Sequence, residues 1–322
     1  MDKDRRRRDV IRMKAGKVRK KVLALLLAGT AILGLTGGGT MQVEAAGQEN
    51  AYVDTSSYEQ LYKLYEDYFK LGIACQAMDH WNDPTAEIGN QEKEELINRM
   101  FNSMTFGNEL KPAYNFDASS ENLFKVDFAA EEMLEWAKEN NMKVRGHVLV
   151  WHSQVDPSIF AIDYQAYADG KLTKSDTAKL DEECLVDREE LLARLKRYIY
   201  GVLEYTYKNG YADVIYAWDV VNEAADENQY DGLRRSYWYQ IIGPDYLYYA
   251  FLYAREAETL YAKQYASLYG LDADTDDLSS IQPKLFYNDY NEWFGSRSDA
   301  IIHFLTEEPW NENHEKVKSS VI

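Results

Sequence analysis

The chain has 322 residues, and its 54 acidic side chains outnumber its 36 basic ones, which gives a formal net charge of −18. Because an acidic surface repels phosphate backbones, this charge excludes nucleic acid as a partner. The length suffices for one large domain with a sizeable core. The two cysteines, Cys75 and Cys184, make no disulfide framework and lack metal-ligand spacing, so the sequence predicts no metal and no cofactor.

The first 45 residues have the organisation of a leader rather than of a folded domain. Eleven basic side chains lie within residues 1–21, and an apolar stretch of 14 residues follows over 22–35. That stretch is shorter than the ~20 residues that span a bilayer. Small or aliphatic side chains then precede a cleavage position after Ala45. We predict a signal peptide over 1–45, a secreted protein and no stable membrane insertion after cleavage. An uncleaved anchor is the alternative.

From residue 46 to 322, short apolar runs alternate with helical patterns. The predicted strands cover 71–77, 103–109, Lys143–Trp151, 214–221 and 284–287. The predicted helices cover 57–69, 92–101, 127–140, 187–209 and 245–261, and a last one begins near residue 298. This alternation predicts a parallel sheet covered by helices. Five strand–helix units can be counted, whereas a closed (β/α)8 barrel has eight.

Capping residues define two of these helices. Asp127 precedes a helix whose apolar side includes Met133 and Leu134. Asp187 starts the clearest helix, with Glu190 in the capping-box position three residues later.

The cysteines differ in their surroundings. Cys75 lies inside the apolar run 71–77, which favours a buried free thiol rather than a disulfide.

The fourth predicted strand ends in polar residues. It reads Trp218-Asp219-Val220-Val221-Asn222-Glu223. In barrel enzymes the working residues lie at the carboxyl ends of strands. A carboxyl group desolvated by an apolar wall can hold a proton near neutral pH and donate it, and an amide can bind a sugar hydroxyl. Position alone is weak evidence, because a glutamate at a strand end is more often solvated or helix-capping.

Two other strand ends share this polar and aromatic character. The third strand carries His147, Trp151 and Gln154, which offer directional hydrogen bonds and a flat apolar face to a pyranose ring. Singly, each is more often a core or packing residue. The second strand ends in a polar stretch that contains Asn108 and Lys111, and Pro112 is predicted to stop the strand. By itself this stretch resembles a solvated loop.

Together these segments resemble glycoside hydrolase family 10, the β-1,4-xylanases. The matching segments are GNELKP at 107–112, GHVLVWHSQ at 146–154, WDVVNEA at 218–224 and LFYNDYN at 285–291. The resemblance covers about residues 55–310 and implies a TIM (β/α)8 barrel, incomplete, with about the first five βα units present. It therefore implies that 46–322 is a partial catalytic domain.

The resemblance also implies roles for individual residues. Glu223 would be the general acid/base, and Asn222 beside it would hold the hydroxyl on carbon 2 of the sugar at the cleavage point. Tyr287 and Asn288 are weaker candidates on the leaving-group side. The implied substrate-binding residues are Asn108, Lys111, His147, Trp151, Gln154 and Asn222.

Two departures from the family pattern bear on activity. Gly107 stands where the family usually has a glutamate that bonds a sugar hydroxyl. The family's nucleophilic glutamate comes from a seventh strand, for which the sequence shows no match. The resemblance thus implies a retaining endo-1,4-β-xylanase that binds xylan and xylo-oligosaccharides, with the chain inactive alone. The alternatives are a non-catalytic glycan-binding remnant and a β-1,4-glucanase of the same barrel type.

Overall fold

Five parallel strands in chain order form the sheet that carries the candidate site. The computed structural model describes residues 57–77, 85–164 and 182–306, all within the compact unit Ser57–Ile322. The leader predicted over 1–45 lies outside these residues. Each strand pairs in parallel with the next, as consecutive units of a barrel do. The strands are β1 Gly72–Cys75, β2 Ser103–Phe106, β3 Lys143–Trp151, β4 Ile215–Asn222 and β5 Lys284–Asn288.

Helices connect these strands, which confirms the predicted α/β alternation. The α-helices are α1 Gln91–Met100, α2 Pro112–Asn115, α3 Phe128–Glu139, α4 Arg188–Lys208, α5 Tyr237–Ile242, α6 Tyr246–Tyr265 and α7 Gly295–Thr306. Short 3-10 helices cover Leu61–Leu64, Pro157–Phe160, Glu182–Cys184, Ala266–Tyr269 and Leu278–Ile281.

The core lies between the sheet and the helices, and one close contact in it joins β3 and β4. Trp218 is 1% exposed. A Cβ added to Gly146 would lie 2.3 Å from the Trp218 Cε3 atom, so the indole needs glycine at this position. Val220 and Val221 beside it are also buried, as expected for a strand of a parallel sheet covered on both faces.

The predicted helix starts are confirmed by their capping bonds. The Asp127 side chain accepts from the Ala129 N–H, and the Asp187 side chain accepts from the Glu190 N–H. The Glu190 carboxylate pairs with Arg194 at 2.7 Å.

The helix predicted over 57–69 is wrong. Only the 3-10 turn Leu61–Leu64 forms there. Leu61, Leu64 and Phe69, whose spacing suggested the helix, are all exposed, so these three side chains supply no buried face that would stabilise a longer helix. The second predicted strand is also too long, because β2 ends at Phe106. Pro112 begins α2 rather than ending a strand, a position that proline favours.

Cys75 is buried and both cysteines are free thiols. Burial, with the nearby carboxylates of Glu87 and Glu109, raises the pKa of the Cys75 thiol to about 12. This thiol is therefore unreactive at ordinary pH. Among the residues that the structure describes, no helix is long and apolar enough to cross a membrane. The same residues contain no group of three His, Cys, Asp or Glu side chains arranged to hold a metal ion.

Candidate active site

The predicted acid/base, Glu223, follows the last residue of β4 and lies beside the end of β3. The indole Nε1–H of Trp151 donates to Glu223 Oε2 at 3.0 Å. The rings of Trp151 and His147 lie with their centroids 6.2 Å apart. Glu223 is half-buried, and its φ of +54° turns the chain sharply as it leaves the strand. Strand pairing thus brings three of the predicted residues to one place.

Asn108, Lys111 and Gln154 form one hydrogen-bonded group, although they come from different strand ends. The Lys111 ammonium donates to Asn108 Oδ1 at 3.0 Å and to Gln154 Oε1 at 2.7 Å. The Gln154 amide donates in turn to Asn108 Oδ1 at 2.9 Å. The three side chains therefore fix one another's orientation before any ligand binds.

Lys111 also connects this group to the acid/base. Its Nζ lies 5.0 Å from the centroid of the Trp151 ring, the indole of which bonds Glu223. Lys111 is 7% exposed, and desolvation lowers the pKa of its ammonium, an effect that the carboxylates of Glu109 and Glu223 oppose. The site therefore places a positive charge between two carboxylates and against an aromatic face.

A buried aspartate that the sequence analysis did not assign orients His147. Asp219 Oδ2 lies 2.9 Å from His147 Nδ1, and Asp219 Oδ1 accepts from Arg145 Nε at 2.9 Å. Asp219 is only 2% exposed, so these two partners compensate its buried charge. The sequence could have indicated this role, because Asp219 is a charged residue in the middle of an otherwise apolar strand.

Asn222 is 3% exposed and is held by β5. The Asn288 amide donates to Asn222 Oδ1 at 2.8 Å, and Arg145 NH2 lies 3.3 Å from Asn288 Oδ1. The weaker candidate Asn288 therefore supports a predicted sugar-binding residue. The hydroxyl of the other weaker candidate, Tyr287, accepts from the backbone N–H groups of Ala224 and Ala225.

Two side chains explain the loop after β2. The buried carboxylate of Glu109 accepts from the Ala77 N–H at 3.0 Å and the Asn108 N–H at 2.9 Å, which fixes the backbone of Asn108. At Gly107 the side chain of Gln76 fills the vacant space, because an added Cβ would lie 2.7 Å from Gln76 Cγ. The Gln76 side chain thus occupies the position that the Cβ of a larger residue at 107 would need. Glu109 and Gln76 were not singled out from the sequence.

Known proteins are similar in sequence to the part of the chain that contains this sheet and site. The model of glycosyl hydrolase family 10 matches residues 60–314. Endo-1,4-beta-xylanase A of Thermotoga maritima is 36% identical over 246 residues, which cover 76% of this chain and 18% of that relative. Exoglucanase XynX of Acetivibrio thermocellus is 34% identical over 247 residues, which again cover 76% of this chain and 18% of the relative.

Solved structures of xylanases are also similar to this chain. The intracellular xylanase TsXylA of Thermoanaerobacterium saccharolyticum has a TM-score of 0.54 and 32% identity, with 76% of this chain and 61% of that chain covered. Complexes of two of its glutamate-to-alanine mutants contain xylotetraose and xylotriose. The chain spans less than two thirds of the length of these relatives. Because the family model matches most of the sequence, the chain belongs to glycosyl hydrolase family 10.

Proposed function

We propose that the chain supplies the acid/base half of a retaining endo-1,4-β-xylanase, which hydrolyses internal β-1,4-xylosidic bonds of xylan. The observation that carries the proposal is the Trp151–Glu223 contact of 3.0 Å at the shared ends of β3 and β4. A carboxyl group beside an aromatic wall and a cluster of amides is the arrangement that protonates a glycosidic oxygen over a bound sugar.

Glu223 has two steps to perform in this mechanism. It first gives its proton to the leaving oxygen as the bond to the anomeric carbon breaks and a second carboxylate attacks that carbon. It then takes a proton from water as the water oxygen attacks the anomeric carbon. The bond between that carbon and the second carboxylate breaks, so the second carboxylate is free again. Retention requires the two carboxyl groups to be about 5–5.5 Å apart. We infer that this nucleophile belongs to a strand outside the described residues.

The sugar on the non-reducing side would lie against the group of Asn108, Lys111 and Gln154. Their amide and ammonium groups are already oriented by mutual bonds of 2.7–3.0 Å. Preorganised donors of this kind lose little entropy when they bind hydroxyls. Trp151 would supply the apolar face of the same sugar site, and Asn222 the amide that bonds the hydroxyl on carbon 2.

The test uses the chain joined after α7 to the remaining strands of TsXylA, so that both carboxylates are present. We expect this chimera to release reducing sugar from xylan and much less from β-1,4-glucan. The Glu223→Gln variant should lower hydrolysis by at least about 10²-fold while xylotriose affinity is retained, because general acid catalysis contributes ~10²–10⁴. Exposed Glu139→Gln on α3 is the matched control and should have no effect.

The alternatives predict other results. Equal hydrolysis of glucan would favour a β-1,4-glucanase, an assignment that the similarity to Exoglucanase XynX supports. Xylotriose binding by the full chain without hydrolysis in the chimera would favour a glycan-binding protein. Full activity of Glu223→Gln would contradict the role proposed for Glu223.

We also propose that the protein is secreted. The basic segment 1–21 followed by the apolar stretch 22–35 supports an export signal. The test is the N-terminal sequence of the protein recovered from culture medium. We expect the mature chain to start at Ala46, directly after the proposed cleavage position, and a secreted chain that retains residues 1–45 would contradict the proposal.

A further inference from the structure

The backbone turn that carries Glu223, residues 223–225, has its hydrogen-bonding groups filled by neighbouring residues. The Glu223 N–H donates to the Asn288 carbonyl at 2.8 Å. The Glu223 carbonyl accepts from Arg234 Nε at 3.1 Å, and the Ala224 carbonyl accepts from the Arg234 N–H at 2.8 Å. The two remaining N–H groups, those of Ala224 and Ala225, lie next to β5.

The hydroxyl of Tyr287 on β5 binds both of these N–H groups. It accepts from Ala224 N at 3.0 Å and from Ala225 N at 3.1 Å, and it donates to the carboxylate of Asp289. A phenol oxygen has one hydrogen to donate and two lone pairs to accept with, so these three contacts use its full capacity. Desolvation, together with the Asp289 charge, raises the pKa of Tyr287 well above its ordinary value, which keeps the donor hydrogen in place.

Asp289 is in turn fixed by a buried arginine from α7. Arg297 is 4% exposed, and its Nε and NH2 atoms donate to Asp289 Oδ1 at 3.1 and 2.6 Å. The same NH2 donates to the Ala225 carbonyl at 3.1 Å, while NH1 pairs with Glu227 at 2.9 Å. Both bonds to Asp289 end on the same carboxylate oxygen, and hydrogen bonds between two charged groups are stronger than bonds between neutral ones. The tyrosine hydroxyl therefore has a rigid support on its far side.

We propose that Tyr287 is a positioning residue for Glu223, with Asp289 and Arg297 holding its hydroxyl, and that this hydroxyl makes no contact with the sugar. The proposal rests on the proposed role of Glu223 as acid/base. Filled hydrogen-bonding capacity leaves the hydroxyl nothing to offer a substrate. A turn that is fixed through β5 instead determines where the carboxylate of Glu223 meets the Trp151 indole, and a displacement of about 1 Å can cost about 10²-fold in rate.

The first test reads the Trp151–Glu223 bond in the full chain without any reaction. Hydrogen exchange of the Trp151 indole N–H is followed by NMR, and the signal is assigned by its loss in Trp151→Phe. In Tyr287→Phe we expect exchange to be at least about 10-fold faster, because a looser turn opens the bond more often.

The matched control removes a similar hydroxyl at the other end of β4. The Tyr269 hydroxyl accepts from the Ala212 N–H at 3.0 Å and donates to the Tyr207 carbonyl at 2.7 Å. Tyr269→Phe should leave indole exchange unchanged. If Tyr287→Phe does not fold, Asp289→Asn serves as the second variant, with a change in the same direction. Exchange equal to that of Tyr269→Phe in the folded variant would overturn the proposal.

The second test uses the chimera with the TsXylA strands. Positioning predicts that Tyr287→Phe lowers kcat by about 10–100-fold and leaves KM within about 3-fold. A sugar contact on the leaving-group side predicts a raised KM at unchanged kcat, which would overturn the proposal. A chimera without any xylan hydrolysis would refute the proposed function, whereas the indole exchange would still decide the role of Tyr287.

Discussion

Glu258 on α6 gives the sharpest prediction for stability, because its carboxyl group is buried without full compensation. The residue is 1% exposed, and its Oε1 atom accepts from the exposed Arg255. Within the described residues, Oε2 has no hydrogen-bond partner, and neither has the buried hydroxyl of Tyr207 on α4. Desolvation raises the pKa of Glu258 to about 7, although Arg255 opposes the effect.

The sign of the pH dependence follows from this raised pKa. Below pH 4.5, the ordinary value, folded and unfolded chains both hold the proton. Between pH 4.5 and about 7 the folded chain holds it more tightly, so the free energy of unfolding falls as the pH rises, and it levels off above. The difference between the two pKa values corresponds to about 3 kcal/mol.

The test, Glu258→Gln, replaces the glutamate by glutamine, whose side chain has nearly the same shape but carries no group that ionises in this pH range. Urea unfolding at about pH 4 and pH 8 gives the free energy of unfolding of both proteins. From about pH 4 to pH 8 the free energy of unfolding of the wild type should fall by about 3 kcal/mol more than that of the variant. The two proteins could instead show the same change in free energy of unfolding, within about 0.5 kcal/mol. That result would refute the reasoning, since the expected difference exceeds the extrapolation error.

Glu256, on the same helix, is the control with the opposite sign. It is exposed and pairs with Lys196 at 2.9 Å, and the Lys196 hydrogen bond lowers the pKa of its carboxyl group. Its contribution is therefore present above the unfolded pKa and is lost as the pH falls. Because exposed pairs contribute less than about 1 kcal/mol, Glu256→Gln should change the pH profile only slightly.

Two further predictions concern the strand core and the sugar-binding group. Gly146→Ala should lower the free energy of unfolding by roughly 1–3 kcal/mol, because the added methyl group overlaps the buried Trp218 ring. The control is Gly295→Ala, whose added methyl group meets no atom within 4 Å and should be neutral in the same urea titration. Lys111→Met should weaken xylotriose binding by about 10–100-fold in calorimetry, since hydrogen bonds to charged groups contribute about 1.5–3 kcal/mol. Lys263→Met changes an exposed lysine and is the control. Equal affinities of the two variants would contradict the role of Lys111.

The strands were predictable because each combines an apolar run with breaks at both ends. β3 agrees with its predicted bounds, and β1, β4 and β5 differ by a few residues at their ends. The helix over 57–69 failed because periodicity indicates an apolar face and not what covers it. Leu64 and Phe69 have the right spacing, yet both are exposed. Periodicity alone therefore predicts a helix only where a buried partner exists.

The side chains predicted for the cleft are brought together at neighbouring strand ends, since parallel strands end at the same edge of a sheet. The bonds between them could not be predicted in the same way. That Lys111 bonds both Asn108 and Gln154 depends on the loop after β2, whose path is set by the buried Glu109. In the sequence, Glu109 is only one more carboxylate in a polar stretch.

The supporting residues of the site have one physical property in common. Asp219, Asp289 and Arg297 are charged residues whose side chains are at most 5% exposed, and each lies within or just beyond a predicted element. Burying an unpaired charge costs several kcal/mol, so such residues persist only where partners with good geometry surround them. Each of the three does contact the segment that carries His147 or Glu223. Of the three, only Asp219 lies inside an apolar strand, so it is the one whose supporting role the sequence indicates directly.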